Sequence, residues 1–324
     1  MQGKVAIIGA GLVGAAAGYL LANVPGVSEV VLLDVDQARA RSEAADIAHA
    51  AAFGSPALIR AAGDYADLAG AQVVVVTAGT SLKPGQTRLD LLAANVSVVA
   101  SVMERVLAVV PDTVLLFATN PVDVMPAVAV RCFGVPRGRA IGTGCALDSA
   151  RFRDRLARHL GVSPSSVHAN VLGEHGDSEV LHWSGAQIAG MPLIDFAEKL
   201  GHPLPPEARE TMTKEVRTSA YRIKEGKGVS NFGIGGCIAR LTRAIVNDEH
   251  VVFSVSTFME ELLGVRETCV SLPHVLSAQG ASEPFLPPLD RAEEAALRHS
   301  AGVLREAIQA GLAALPPRAP EARA

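Results

Sequence analysis

Cysteine is scarce and scattered in this chain. Four occur in 324 residues, Cys132, Cys145, Cys237 and Cys269, with no Cys-x-x-Cys pair. That excludes a disulfide framework and a thiolate zinc site, and predicts reduced, mostly buried thiols. Blocks of one charge sign are lacking too. The formal net charge is -4 and acids interleave with bases along the chain, so neither a phosphate backbone nor an anionic membrane meets a complementary patch. No nucleic-acid or membrane partner is expected. No apolar run of about 20 residues is evident, and the amino terminus enters a strand pattern instead of a cleavable signal, so the expected compartment is the cytoplasm. His49, His159, His182, His202, His250, His274 and His299 show no spacing of metal ligands. No metal is expected.

The chain does have length and apolar content, 49% of its residues, sufficient for two domains with a large buried core. In the first half, short apolar runs alternate with longer helical patterns. Val5–Ile8, Val30–Leu33, Val73–Val76 and Val114–Phe117 predict buried strands, with helices over 12–23, 37–52 and 88–109 between them. This is the α/β order of a doubly wound parallel sheet. After about residue 143 the order is mixed. Helices are expected over 146–160, 206–223, 232–246 and 290–312, and strands over 167–172, 251–255 and 268–272, an α+β arrangement. The domains are therefore placed at 1–143 and 144–313. The tail, 314–324, is rich in Pro, Ala and Arg without apolar periodicity, and is expected to be disordered.

Gly9-Ala10-Gly11-Leu12-Val13-Gly14 fits G-x-G-x-x-G. The spacing alone is weak, and a tight strand–helix turn satisfies it equally well. Its context adds weight. It leaves a strand, opens a helix, and is followed twenty residues after Gly14 by Asp34 at the end of the second strand. Helix N–H groups then face a pyrophosphate, while Asp34 accepts from the ribose hydroxyls and repels a 2′-phosphate, which favours NAD over NADP.

The chain resembles the L-lactate and malate dehydrogenase family, most like its bacterial L-lactate members, from about Lys4 to Leu312. The resemblance rests on the glycine motif with Asp34, on Thr77-Ala78-Gly79, Lys83 to Arg88, and Thr119-Asn120-Pro121-Val122-Asp123. It rests also on Leu147-Asp148-Ser149-Ala150-Arg151 and Gly173 to Glu179, all in one order. It implies a Rossmann-type sheet followed by a catalytic domain, NAD as cofactor, and transfer of hydride between the cofactor and a small 2-keto or 2-hydroxy acid in glycolysis or fermentation. Residues implied in cofactor binding are Gly9, Gly11, Leu12, Val13, Gly14, Asp34, Thr77, Ala78, Gly79, Asn95, Thr119 and Asn120. His175 becomes the acid/base, Asp148 its orienting carboxylate and Arg88 the group that polarises the substrate carbonyl. Arg151, three residues beyond Asp148 on one helix face, becomes the bidentate partner of the substrate carboxylate, with Asn120 orienting substrate and histidine. The Asn120–Pro121 bond is expected to be cis.

Departures from the family pattern bear on the substrate. In the family the stretch from Gly79 to Thr87 is a lid, and the position before Lys83 is glutamine in lactate enzymes and arginine in malate enzymes; here it is Leu82. Leucine cannot pair a second carboxylate, so oxaloacetate is disfavoured. Ser230 stands where lactate enzymes have threonine. Both changes suit a bulkier 2-keto acid such as 2-ketoisocaproate, yet each is worth only about 1–3 kcal/mol, so pyruvate stays the first expectation. Arg153 and His168 match bacterial enzymes in which that pair, drawn from two subunits, holds fructose 1,6-bisphosphate. An activated homotetramer is the expectation, against a solvated arginine and a strand histidine. Trp183 is assigned to packing. A protein that binds NAD without turnover is the alternative of a different class. Short-chain reductases fail, since no lysine lies four residues beyond Tyr19, Tyr65 or Tyr221.

Overall fold

The computed structural model describes residues 3–80 and 87–316, excluding the side chain of Arg88. Leu82 and the end of the carboxyl-terminal tail therefore lie outside the described residues.

The first half builds a six-stranded parallel sheet from β1 (Lys4–Ile8), β2 (Glu29–Leu33), β3 (Leu58–Ala61), β4 (Val73–Val76), β5 (Val114–Phe117) and β6 (Ala140–Gly142). Its spatial order is β3-β2-β1-β4-β5-β6. Helices α1 (Leu12–Ala22), α2 (Gln37–Ala51), α3 (Arg88–Val109) and α4 (Met125–Phe133) make the crossovers. The strands are continuous apolar runs because both faces are covered. Ala6, Ile8, Val31, Val74, Val76, Leu115 and Phe117 bury one face against α3 and α4. Val5, Ile7, Val30, Leu32, Val75 and Leu116 bury the other with α1, α2 and the later helix α8 (Phe232–Val246). The chain reverses direction across the sheet between β1 and β4. A crevice for a ligand opens there, at the carboxyl ends of the strands.

The second half opens with α5 (Ala146–Leu160), then short strands β7 (Val167–His168), β8 (Val171–Leu172), β9 (Val180–Leu181), β10 (Gln187–Ile188) and β11 (Met191–Pro192). Helices α6 (Leu193–Leu200) and α7 (Pro206–Lys227) precede α8, and a long hairpin, β12 (Val251–Leu262) and β13 (Val265–Ser277), follows it. The short β14 (Gly280–Ala281) and α9 (Arg291–Ala313) close the chain. Strand β12 joins the parallel sheet, pairing antiparallel to β6 through Ser256 and Gly142, and the sheet reaches nine strands. The strands expected around 167–172 are the short β7 and β8, which belong to different small sheets.

Two expectations need correction. Leu89–Val109 of α3 is long and apolar enough to cross a membrane by length and composition, although no such run was expected. Its Leu92, Val96, Val99, Met103 and Val106 are buried in the sheet's core, so it is accounted for as a core helix. Of the four cysteines, all free, Cys145 and Cys269 are buried, but Cys132 and Cys237 are only half-buried. Trp183 packs edge-on against Phe152, ring centroids 4.7 Å apart, and its indole N–H donates to Thr213.

Candidate active site

The cleft at the carboxyl end of β1 is shaped by glycine. Gly9 leaves the strand at φ 106°, and a Cβ there would stand 2.7 Å from the amide nitrogen of Ala78. A Cβ on Gly14 would overlap the carbonyl oxygen of Gly9 at 1.9 Å, whereas one on Gly11, the cap of α1, would meet nothing within 4 Å. Two glycines thus permit the turn, and the third leaves its backbone open to a ligand. Asp34 closes the adjacent side. Its Oδ2 accepts from the Ala10 N–H at 2.6 Å and its Oδ1 from the Asp36 N–H at 2.9 Å. Each oxygen keeps a lone pair for a ribose hydroxyl. Leu12 is exposed and Val13 half-buried beside it. Thr77 donates to the Gly9 carbonyl at 2.8 Å, and Thr119, buried, donates to the Ala78 carbonyl at 2.7 Å, so these hydroxyls brace the cleft wall. These features fit a dinucleotide, with a helix N-terminus for its pyrophosphate.

About the opening of the second half, a histidine, an aspartate and an arginine converge. Asp148, in the first turn of α5, is only 3% exposed. One of its oxygens takes His175 Nδ1 at 2.5 Å, and the other takes Arg151 Nη1 at 2.7 Å. The i, i+3 spacing on α5 brings aspartate and arginine together, and Gly173, at φ 85° with its N–H donating to the Ser271 carbonyl, turns the loop so that His175 reaches them. The His175 side chain retains 26% exposure. Nδ1 is committed to Asp148, which leaves Nε2 as the ring nitrogen available to a substrate.

Electrostatics sets this group as an acid. Burial alone lowers the His175 pKa, but the charge and hydrogen bond of Asp148, with the charge of Asp123, outweigh burial and Arg151 and raise it to about 9. Asp148 is penalised by burial, yet the charges and hydrogen bonds of His175 and Arg151 hold its carboxyl below the usual range. Two further acids belong to the cluster and were not singled out from the sequence. Asp123 Oδ2 accepts the backbone N–H of His175 at 2.8 Å. Burial lifts its pKa to about 6, against the charge and N–H of His175. Glu179, 2% exposed, is pushed well above the usual carboxylate range by burial and then by the charge of Asp148, against the charges of His175, Arg217 and Arg151. In the sequence, Asp123 and Glu179 are marked only by their places in the Thr119–Asp123 and Gly173–Glu179 motifs.

A family model described as the lactate/malate dehydrogenase NAD binding domain matches residues 3–142, and one described as the lactate/malate dehydrogenase alpha/beta C-terminal domain matches residues 145–315. The chain belongs to the lactate/malate dehydrogenase family. It is an NAD-dependent oxidoreductase. The L-lactate dehydrogenase of Thermus aquaticus is 50% identical over 307 residues, covering 95% of this chain and 99% of that one. That of Allorhizobium ampelinum is 46% identical over 303 residues, 94% and 97% of the two chains. Among solved structures, a lactate dehydrogenase from a Medee basin deep-sea metagenome library superposes with a TM-score of 0.92 at 35% identity, covering 96% of this chain and all of its own. The minor L-lactate dehydrogenase of Enterococcus mundtii, in a ligands-bound form, gives 0.90 at 34% identity.

The remaining positions that the family pattern marks are more dispersed. Asn120 is exposed, and its bond to Pro121 is cis. Ser230 is half-buried in the turn between α7 and α8, where Lys227 Nζ donates to Asn231. Arg153 lies along α5 with its Nε donating to the Ser149 carbonyl at 3.1 Å, while His168 is exposed on β7. Arg88 opens α3, behind a capping box of Thr87 and Asp90. Among the described residues no group of His, Cys, Asp and Glu is arranged to hold a metal ion.

Proposed function

We propose that this chain is an NAD-dependent L-lactate dehydrogenase that interconverts pyruvate and L-lactate, with His175 as the acid/base. The observation that carries the proposal is the single Asp148 carboxylate holding His175 Nδ1 with one oxygen and Arg151 with the other. It sets a proton donor and a carboxylate-binding guanidinium beside each other, as a 2-keto acid requires. NADH, when bound at Gly9, Gly11, Leu12, Val13, Gly14, Asp34, Thr77, Ala78, Gly79, Thr119 and Asn120, supplies the hydride.

Arg151 binds the substrate carboxylate through the donors of its fork not used by Asp148. The ring N–H of His175 donates from Nε2 to the keto oxygen, and its proton passes to that oxygen as negative charge develops there. Asp148 keeps the charged ring favourable before transfer and its tautomer fixed afterwards. In lactate oxidation the neutral ring takes the proton back. Arg88, from the first turn of α3, is assigned to polarise the carbonyl, and Asn120 to orient the substrate and histidine. The division into a cofactor domain, 1–143, and a substrate domain, 144–313, is supported by the two separate family models.

Leu82 and Ser230 widen and depolarise the pocket expected about the substrate's side chain, so 2-ketoisocaproate is the second substrate and oxaloacetate the poorest. Arg153 and the exposed His168 are assigned to fructose 1,6-bisphosphate across a subunit interface of a cytoplasmic homotetramer. Steady-state kcat/KM with NADH for pyruvate, 2-ketoisocaproate and oxaloacetate, each with and without the sugar bisphosphate, tests the substrate ranking and the regulation. Pyruvate is expected to rank first and to gain from the bisphosphate. Oxaloacetate in first place would sink the assignment of Leu82, and an identical pyruvate saturation curve with and without the bisphosphate would remove Arg153 and His168 from regulation.

A further inference from the structure

Asn95 lies on α3 with 1% exposure, and its amide is spent on backbone. Oδ1 accepts from the Thr80 N–H at 2.7 Å. Nδ2 donates to the Thr80 carbonyl at 3.2 Å and to the Asn120 carbonyl at 2.7 Å. Both amide hydrogens are committed, and one lone pair is left over. The side chain therefore clamps together the loops that follow β4 and β5. The packing is close enough that a Cβ on Gly79 would stand 2.8 Å from Thr119 Cγ2 and 3.0 Å from Asn95 Oδ1.

The second of these loops leads directly to the reacting groups. Asn120 begins the cis turn into Pro121, and Asp123, three residues on, receives the backbone N–H of His175. One buried amide thus connects Thr80, at the edge of the cofactor cleft, to the segment holding both Asn120 and the backbone of His175. The family resemblance places Asn95 among residues that touch the cofactor. Its commitments point elsewhere.

We infer that Asn95 is a positioning residue for the reaction: by fixing the Asn120 carbonyl to Thr80, it sets Asn120, and through Asp123 also His175, at working distance from the cleft. The inference rests on the roles given above to Asn120 and His175. Displacement of a reacting group by about 1 Å costs on the order of 10²-fold in rate, and without the Asn95 amide nothing in the bonding described above ties the Asn120 carbonyl to Thr80.

The test uses Asn95→Ala and Asn95→Asp in the full chain, alone and combined with Asn120→Ala. NADH Kd is measured by fluorescence titration, and kcat and KM for pyruvate are followed against pH. Expected are an NADH Kd within about twofold of the parent and a kcat lower by roughly 10- to 100-fold in each single variant. The loss in Asn95→Ala should shrink, without vanishing, when Asn120 is already alanine, because part of it runs through the Asn120 side chain and the rest through Asp123 to His175. Asn95→Asp keeps the shape and regains a donor when protonated, so its kcat should recover toward the parent's as pH falls, a rescue that general loosening of the fold would not give. Should Asn95→Ala fail to fold, Asn95→Asp carries the test through that recovery. Weaker NADH binding with kcat retained would overturn the inference in favour of a cofactor contact. Losses that multiply in the double variant, or no recovery at low pH, would also overturn it. A parent inactive on every 2-keto acid would instead defeat the lactate dehydrogenase assignment, and this inference with it, whereas an active parent with equally active variants defeats this inference alone.

Discussion

Replacing His175 with asparagine should lower kcat/KM for pyruvate reduction by roughly 10²–10⁴-fold, the usual contribution of a positioned acid, with NADH binding little changed. The residues proposed for the cofactor, from the Gly9–Gly14 turn and Asp34 to Thr77–Gly79, Thr119 and Asn120, are not among the hydrogen-bond partners of His175, which are Asp148 and Asp123. Asparagine keeps a hydrogen-bond donor near Asp148 but carries no transferable proton. Asp148→Asn separates the two halves of the effect. The ring nitrogen loses the carboxylate that fixes its tautomer and whose charge holds its pKa near 9, so activity should fall and the remaining reduction should fail at a lower pH than in the parent. Stopped-flow hydride transfer at saturating NADH reads both. If His175→Asn keeps the parent's rate, the acid is another group.

Replacing Arg151 with lysine should produce the next largest loss, although the charge is kept. The Arg151 side chain is 14% exposed and serves Asp148 through Nη1, so a substrate carboxylate must be taken by the rest of the same planar fork. A lysine ammonium, a point donor on a flexible stem, cannot make both contacts in fixed geometry. Losing one partner of a buried charge pair costs about 2–5 kcal/mol, or roughly 30- to several-thousand-fold in kcat/KM. Much of that should appear in KM for pyruvate, with NADH affinity unchanged. A KM for pyruvate within twofold of the parent would mean the carboxylate is bound elsewhere.

How much was legible in the chain follows from which forces were local. Helices α3, α5 and α8 begin and end where their apolar periodicity and flanking residues place them, because a helix is set largely by its own sequence. The sequence predicts only two short strands, 251–255 and 268–272, where β12 and β13 form one long hairpin. Pro273 sits inside β13 opposite Ser254, a residue that ordinarily ends a strand, tolerated here because it needs no ladder N–H at that point. The turn between the two strands has Leu263 at φ 50°, a left-handed position where Asn or Gly is usual, so it gave no hairpin signal. Strand β3, with Arg60 paired to Glu29, is too short and too charged to read as an apolar run. At the site, His175, Asp148 and Arg151 were identified by motif, and the structure brings them into contact. Asp123 and Glu179 matter through burial and through charges contributed by other segments. Such effects exist only once the chain has folded, and so they escaped the sequence.

In the proposed reaction a charged His175, held so by Asp148, delivers the proton. The most direct test is the pH dependence of kcat/KM for pyruvate at saturating NADH, set beside that for L-lactate at saturating NAD. His175 is raised to about 9, so reduction, which needs the proton, should be level near neutrality and fall as pH passes through that region. Oxidation, which needs the neutral ring, should rise over the same interval. Profiles that stay flat together from pH 7 to about 10, or that move in the same direction, would rule out His175 as the proton donor.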